Sequence, residues 1–221
     1  MDISLPRAQL TSYVTEQVNN IFPDPYKISE RDLTAGTETA LDRIEYCFGF
    51  AKKNRYFSKN HARFDHLYSD QYIIFLWMLS NSLYKQGSNE NILNKIYYLN
   101  KTLHSFDCIY NNSLPDIFMI IHGVGTVLGN ARYSNFFVAY QGCTVGQNHG
   151  KYPEIGLGVG LGAGASVLGE TELGNHVSLS SGVTVIDRII DEGSVVFRGD
   201  HGELLMKPAK SQSISRDYFN F

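Results

Sequence analysis

The sequence predicts an α+β fold, with an N-terminal α-helical domain at residues 1–105, a parallel β-helix at 106–192 and a C-terminal extension at 193–221. The main observation is that an aliphatic residue returns at every sixth position between residues 155 and 185. Glycine often follows these residues directly, whereas the first hundred residues space their apolar side chains as α-helices do. The repeated positions are Ile155, Leu161, Val167, Leu173, Leu179 and Val185.

The six-residue period indicates a solenoid, because it fits neither the 3.6-residue turn of an α-helix nor a long alternating strand. Each hexad would form one flat side of a triangular coil, and three hexads would complete a turn. The aliphatic side chains would then point inward and stack at about 4.8 Å, the spacing of hydrogen-bonded strands. Because a single coil cannot bury its own apolar side, the fold must be stabilised by stacking.

The N-terminal domain is predicted to contain four helices, over about 6–22, 34–55, 69–87 and 89–103. Ser69 or Asp70 could cap the third helix. The fourth helix has the clearest pattern, since its apolar residues fall on one face. These residues are Ile92, Ile96, Leu99 and Leu103.

Composition excludes several classes of partner. The net charge of −3 argues against binding to nucleic acid or to an anionic membrane surface. The longest apolar run, 72–79, is too short to cross a bilayer, so no membrane insertion is expected. The N-terminus does not resemble a signal peptide, and the three cysteines form no CxxC pair. We therefore expect a cytoplasmic protein with reduced thiols.

The register of the repeat breaks once. Stepping back by six from Val145 gives a weaker apolar series that includes Val127 and Ile121, but ten residues separate Val145 from Ile155. Four extra residues must therefore leave the coil as a loop near 147–152. Loops that protrude from a regular scaffold often carry function. The candidate functional residues of this loop are His149, Lys151 and Tyr152.

His122 is a candidate catalytic base. It follows Ile121, an expected inward position, so strand alternation would turn its imidazole outward. Asp107 lies fifteen residues earlier, close to one full coil, and its carboxylate could fix the tautomer of the imidazole. The alternative interpretation is a solvated histidine and an unrelated aspartate in a turn.

Several segments resemble the β-helix domain of serine acetyltransferases, and together they cover about 105–190. They are residues 107–110, 121–129, 141–146, 152–156 and 161–165. The resemblance implies left-handed coiling and a homotrimer or dimer of trimers. It also implies acetyl transfer from acetyl-CoA, without a metal, to a hydroxyl or amine of a small acceptor. In that family pattern His122 is the catalytic base and Asp107 its paired carboxylate.

The resemblance also implies a binding surface for acetyl-CoA. Ala163 and Ser181 match family positions that contact CoA, and Gly162 lies beside them; coil corners alone would also require small residues here. Lys207 resembles a basic residue that can meet CoA phosphate. Transfer would be direct, with backbone N–H groups stabilising the oxyanion. Cys143 falls on an inward position, where it is expected to be a buried small side chain and not a nucleophile.

The departures from the family concern the acceptor. Ile121 replaces an Asp, and Lys151-Tyr152 replace Arg-His, although His149 could compensate in part. The C-terminal section lacks the family's usual tail. A sugar or surface-polysaccharide precursor is therefore favoured as the acceptor. The alternative is a serine O-acetyltransferase of cysteine biosynthesis.

Two other classes of protein are compatible with a β-helix. A zinc enzyme of the γ-carbonic anhydrase type would need three converging histidines, which His122, His149 and His176 could supply between subunits. This class is disfavoured because no two of these histidines are closely spaced and His176 falls on a corner. A non-catalytic β-helix scaffold is the second alternative, and the presence of His122 with Asp107 argues against it.

Overall fold

A computed structural model describes residues 1–209 and 213–221 and has the predicted α+β architecture. Its helices are α1 (Arg7–Ile21), α2 (Glu30–Phe48), α3 (Ser69–Lys85) and α4 (Glu90–His104). Predicted positions for three of the four helices are close to these. The second differs, because α2 ends at Phe48 and not near Arg55.

After α2 the chain forms a small sheet that sequence analysis did not predict. Strands β2 (Phe57–Ser58) and β3 (His61–Phe64) pair as a hairpin, and β1 (Asp2–Ile3) adds to β3 in parallel. Side chains alternate between exposed and buried along β3, as expected for a strand. Alternation over four residues is too short to stand out from the surrounding sequence.

Helix α3 is the centre of the helical domain. Fourteen of its seventeen residues are buried, because α2, α4 and the first strand of the β-helix all pack around it. A helix surrounded in this way has apolar side chains on all of its sides, and buried polar residues of α3 such as Asn81 form hydrogen bonds. No helix in residues 1–209 and 213–221 has the length and apolar character needed to cross a membrane.

The β-helix has three parallel sheets, here called faces one, two and three. Face one contains β4 (Phe118–Ile120), β7 (Phe137–Ala139), β10 (Gly160–Leu161), β13 (Ser178–Leu179) and β16 (Ser194–Arg198), with β17 (Leu204–Pro208) antiparallel at its end. Face two contains β5 (Val127–Leu128), β8 (Thr144–Gly146), β11 (Ser166–Leu168) and β14 (Thr184–Ile186). Face three contains β6 (Arg132–Tyr133), β9 (Glu154–Ile155), β12 (Glu172–Leu173) and β15 (Ile189–Ile190).

The register confirms the hexapeptide repeat. Leu161 pairs with Leu179, and Val167 pairs with Val185, eighteen residues along the chain in both cases. All four side chains are fully buried. The four-residue insertion is confirmed as well, since an isolated bridge between Asn148 and Lys151 closes a loop between faces two and three.

The first coil differs from the predicted register. Ile120 pairs with Ala139 and Leu128 with Val145, so eight residues separate the inward positions here, where later coils have six. The inward residues are therefore Ile120 and Leu128, and Val127 is 39% exposed. The six-residue spacing placed Ile121 and Val127 at inward positions, because it does not allow for the two extra residues at this corner.

The β-helix continues past residue 192, because β16 pairs with β13 and extends face one by another strand. The C-terminal residues 213–221 then return to the helical domain. Phe219 is fully buried and pairs with Ala51, and the N–H of Lys52 donates to the Tyr218 carbonyl at 2.7 Å. The last segment of the chain therefore joins the two domains.

The N-cap of α4 offers a test of the helical domain. The Asn89 side chain accepts a hydrogen bond from the Asn91 N–H at 2.9 Å. Asn89→Ala leaves that donor without its partner, and we expect the free energy of unfolding to fall by about 1 kcal/mol. Urea unfolding measures the change. Asn91→Ala is the control, because it keeps the N–H and should not destabilise.

Candidate active site

His122 lies on the enlarged corner between faces one and two. Its side chain is 67% exposed, as predicted. The reason differs from strand alternation: His122 has a φ of 54°, in the left-handed region, where the chain turns out of β4. The next residue, Gly123, lies against α3, and a Cβ there would be 2.7 Å from Cδ1 of Ile73. The corner is therefore wedged against the helical domain.

The carboxylate beside His122 belongs to Asp70, in the first turn of α3. Its Oδ1 accepts a hydrogen bond from the His122 N–H at 3.1 Å, and its Oδ2 lies 3.9 Å from Nδ1 of the imidazole. The Tyr68 hydroxyl donates to the same Oδ2 at 3.1 Å. The Asp70 side chain is only 3% exposed. The Asp70 side chain thus fixes the backbone of the corner at His122 and places a negative charge near the imidazole ring.

Asp107 has different partners from those expected. Its carboxylate accepts hydrogen bonds from the Tyr97 hydroxyl at 2.5 Å and from the Lys101 ammonium at 2.6 Å. Partial burial raises the pKa of Asp107, but these two donors and the charge of Lys101 bring it below its ordinary value. Asp107 does lie next to the first strand of face two, bridged to Val127, on the side away from the later coils. The carboxylate that contacts His122 is thus that of Asp70, on α3, and the pairing of Asp107 with His122 stays a prediction.

A depression of about 340 Å³ opens beside His122, within the range of small-molecule sites. Its lining residues come from the segment after α2, from the start of α3, from the His122 corner and from the C-terminal segment. They are Lys53, Asn54, Arg55, Tyr56, Tyr68, Asp70, Ile121, His122 and Tyr218.

Two tyrosines stand next to the depression. The Tyr140 and Tyr218 hydroxyls are 2.5 Å apart, and the Tyr140 ring meets the His122 ring edge-on with centroids 6.4 Å apart. Burial, followed by the hydrogen bond with Tyr140, raises the pKa of Tyr218, so its hydroxyl stays protonated at neutral pH. The C-terminal segment therefore contributes directly to the surroundings of His122.

Small residues stack below His122 on the same edge. Backbone hydrogen bonds connect successive coils at this edge. They run from the N–H groups of Gly142, Gly164 and Gly182 to the carbonyl groups of Val124, Gln141 and Ala163, respectively. Gly162 is required by space as well, since a Cβ there would lie 2.8 Å from the Ser181 nitrogen. The three residues expected to contact CoA, Gly162, Ala163 and Ser181, therefore share one edge with His122.

The basic residue at the end of this edge is Arg198. Its Nε donates to the Gly182 carbonyl at 3.2 Å, next to Ser181. Lys207 lies on β17 opposite Val195, and its ammonium is 5.0 Å from the centre of the Phe197 ring. Arg198 was not singled out from the sequence, because its position depends on the unexpected continuation of face one.

The loop residues His149, Lys151 and Tyr152 lie on a different edge, between faces two and three. None of them lines the depression at His122 within one chain. Lys151 forms an ion pair with Glu170 at 3.1 Å, and Tyr152 is 49% exposed. His176 lies on the third edge, stacked on Phe221. The three histidines of the metal alternative thus occupy three different corners of the same chain.

Cys143 is fully buried, as expected, and its thiol donates to the Gly162 carbonyl at 3.1 Å. Burial raises the pKa of Cys143 to about 11. A thiol of this kind holds almost no thiolate at pH 8 and is a poor nucleophile.

We expect Cys143→Ala to change the rate of acetyl transfer less than about threefold, measured as the initial velocity of CoA release. Loss of the reaction in a folded variant would instead make Cys143 a catalytic residue.

Comparison with known proteins shows similarity to serine acetyltransferases. No family model matches the sequence. The serine acetyltransferase of Synechococcus elongatus is 34% identical over 82 residues, which cover 35% of this chain and 34% of that protein. The match thus spans about a third of the relative's length.

Solved structures match along nearly the whole chain. A serine acetyltransferase from Neisseria gonorrhoeae in complex with serine has a TM-score of 0.66 and 22% identity, covering 92% of this chain and 84% of the other. A serine acetyltransferase in complex with CoA has a TM-score of 0.67 and 18% identity, covering 91% and 86%. These structures show the same fold, with helices before a parallel β-helix.

Proposed function

We propose that the chain is an acetyl-CoA-dependent O-acetyltransferase with His122 as the general base. The observation that carries this proposal is the arrangement at one edge of the β-helix. An exposed imidazole, contacted by the buried carboxylate of Asp70, stands above a stack of small residues on the same edge. Similarity to serine acetyltransferases in sequence and fold supports the assignment.

The reaction needs one proton transfer in each direction. Nδ1 of His122 faces Asp70, so Nε2 is the nitrogen available to the acceptor. It takes the proton of the acceptor hydroxyl while that oxygen attacks the thioester carbonyl carbon. The tetrahedral intermediate then breaks the C–S bond, and the departing thiolate takes the proton from the imidazolium. The products are an acetyl ester and CoA, and His122 is neutral again.

Acetyl-CoA would lie along the edge below His122. Gly162, Ala163 and Ser181 leave room for the pantetheine arm, and Arg198 or Lys207 would meet the phosphates. The reaction as written uses no metal ion, since the base and the thioester suffice. Oδ2 of Asp70 lies 3.9 Å from Nδ1 of His122, which is too far for a hydrogen bond. Asp70 would therefore stabilise the imidazolium through its negative charge.

The acceptor is proposed to be a sugar or a surface-polysaccharide precursor. The depression beside His122 is lined mainly by tyrosines and basic side chains. Ile121, which replaces an Asp of the family pattern, provides no carboxylate to bind the amino group of serine. Serine is the second candidate, supported by the similar structure that contains serine. A non-catalytic scaffold would show no transfer to either.

A homotrimer or dimer of trimers completes the proposal. Val127 and Ile186 are exposed on face two, and subunit contact would cover them. The loop with His149, Lys151 and Tyr152 would then approach the acceptor from a neighbouring subunit, because it lies on another edge of its own chain. Light scattering after gel filtration should give three or six times the monomer mass.

An acceptor screen tests the proposed function. Purified protein is mixed with acetyl-CoA and single acceptors, including serine, neutral sugars, uronic acids and nucleotide-linked amino sugars. Release of the CoA thiol is followed with a thiol reagent. Release that depends on an acceptor supports the proposal. Background release with every acceptor, together with no binding of CoA, would support the scaffold alternative.

A further inference from the structure

Two cationic side chains, Lys53 and Arg55, line the depression beside His122, and Arg55 is also within range of the negative charge of Asp70. Neither forms a salt bridge in residues 1–209 and 213–221, although both are exposed and free to do so. Several other basic side chains of the chain are paired. These are Arg7, Lys95, Lys101, Arg132 and Lys151.

Both cations are held by aromatic rings that line the same depression. The Arg55 guanidinium lies 4.2 Å from the centre of the Tyr68 ring, and the Lys53 ammonium lies 5.3 Å from that of Tyr218. Such cation–π contacts orient a charge without neutralising it. The positive charge therefore remains available to a ligand.

The backbone that carries these side chains is fixed from two directions. The Gln71 side chain, on α3, donates to the Arg55 carbonyl at 3.0 Å, and Gln71 is only 1% exposed. On the other side, the Tyr218 carbonyl of the C-terminal segment accepts a hydrogen bond from the Lys52 N–H. The cations are thus prearranged, which lowers the cost of ordering them on binding.

Among the described residues that line the depression, Asp70 is the only acidic one. Its buried carboxylate is already engaged by the Tyr68 hydroxyl and the His122 N–H. The surface offered to a ligand is therefore positive. An ammonium group would find no exposed carboxylate among the lining residues.

We propose that this depression binds the acceptor through an anionic group, a carboxylate or a phosphate, held by Lys53 and Arg55 while the hydroxyl lies at His122. The proposal rests on the acetyl transfer proposed above. Arginine matches both anions with two parallel N–H donors, and lysine adds a point charge. An acidic sugar or a sugar phosphate has the required chemistry. Serine also has a carboxylate, but its ammonium would lack a partner.

Binding measurements test the anion site independently of catalysis. Glucose, glucuronic acid and glucose 6-phosphate differ only in the charged group, and calorimetry compares their affinities. We expect at least one charged ligand to bind tenfold or more tightly than glucose. The double variant Lys53→Gln with Arg55→Gln should lose that preference, whereas Lys85→Gln, at the exposed end of α3, should keep it. The charged ligand that binds more tightly identifies carboxylate or phosphate.

Kinetics separates this proposal from the proposed function. Specificity for the charged acceptor, as kcat/KM, should fall at least tenfold in the double variant, while that for glucose changes less than threefold. Equal binding of charged and neutral ligands, or a preference that survives in the double variant, would overturn the anion site. Charge-dependent binding without any acetyl transfer would support the anion site and contradict the proposed reaction.

Discussion

Replacing His122 with asparagine is expected to lower acetyl transfer by about 10² to 10⁴, the range for losing a general base. Asparagine tolerates the left-handed φ of 54° at this corner, so the variant tests the imidazole and not the backbone. Initial velocities of CoA release, with circular dichroism as a check of folding, provide the measurement. KM for acetyl-CoA should change little, because the ring does not hold CoA.

The matched control is His201→Asn, since His201 is exposed in the turn between β16 and β17. This variant should keep the wild-type rate. If His122→Asn folds and turns over at more than a tenth of the wild-type rate, another group must take the acceptor proton, and the role given to His122 is lost.

Replacing Asp70 with asparagine is expected to lower kcat by about tenfold to a hundredfold, equivalent to roughly 1.4–2.7 kcal/mol of transition-state stabilisation. Asparagine keeps an oxygen for the His122 N–H, removes the charge near Nδ1, and replaces the oxygen that accepts from the Tyr68 hydroxyl with an amide group. Because Asp70 acts through His122, KM for acetyl-CoA and for the acceptor should stay within about threefold. A structural defect would instead alter both constants and lower the melting temperature.

Asp107→Asn is the informative comparison, because it neutralises the carboxylate that the sequence paired with His122. Asp107 is held by Tyr97 and Lys101, so this variant should reduce kcat less than Asp70→Asn does. The reverse order, with Asp107→Asn the more damaging variant, would restore the original pairing and remove Asp70 from the site.

The fold could be predicted from the sequence because its signal is periodic. Each inward residue from Ile155 to Val185 pairs with one eighteen residues away, so a six-residue repeat is sufficient to assign all three faces. The inserted loop could also be predicted, because Val145 and Ile155 are ten residues apart where the repeat requires six. The first coil could not be assigned this way, because its corner has two extra residues and neither Ile121 nor Val127 is at an inward position in the register.

The site was less predictable, because its parts come from segments far apart in sequence. His122 could be identified from the segment that resembles serine acetyltransferases, although the repeat misplaced the first coil. Asp70 precedes His122 by fifty-two residues and was predicted only as a helix cap. Lys53 and Arg55 fell inside a predicted helix, which in fact ends at Phe48. Tyr218 reaches the site only because the C-terminal segment folds back. No spacing rule connects these residues.

The most direct test follows the acetyl group itself. Acetyl-CoA labelled with ¹³C in the acetyl group is incubated with the protein and its best acceptor from the screen, and the products are identified by NMR. We predict an acetyl ester on the acceptor in the wild-type reaction and none with His122→Asn. Label that stays on CoA or appears only as free acetate would contradict acetyl transfer at this corner.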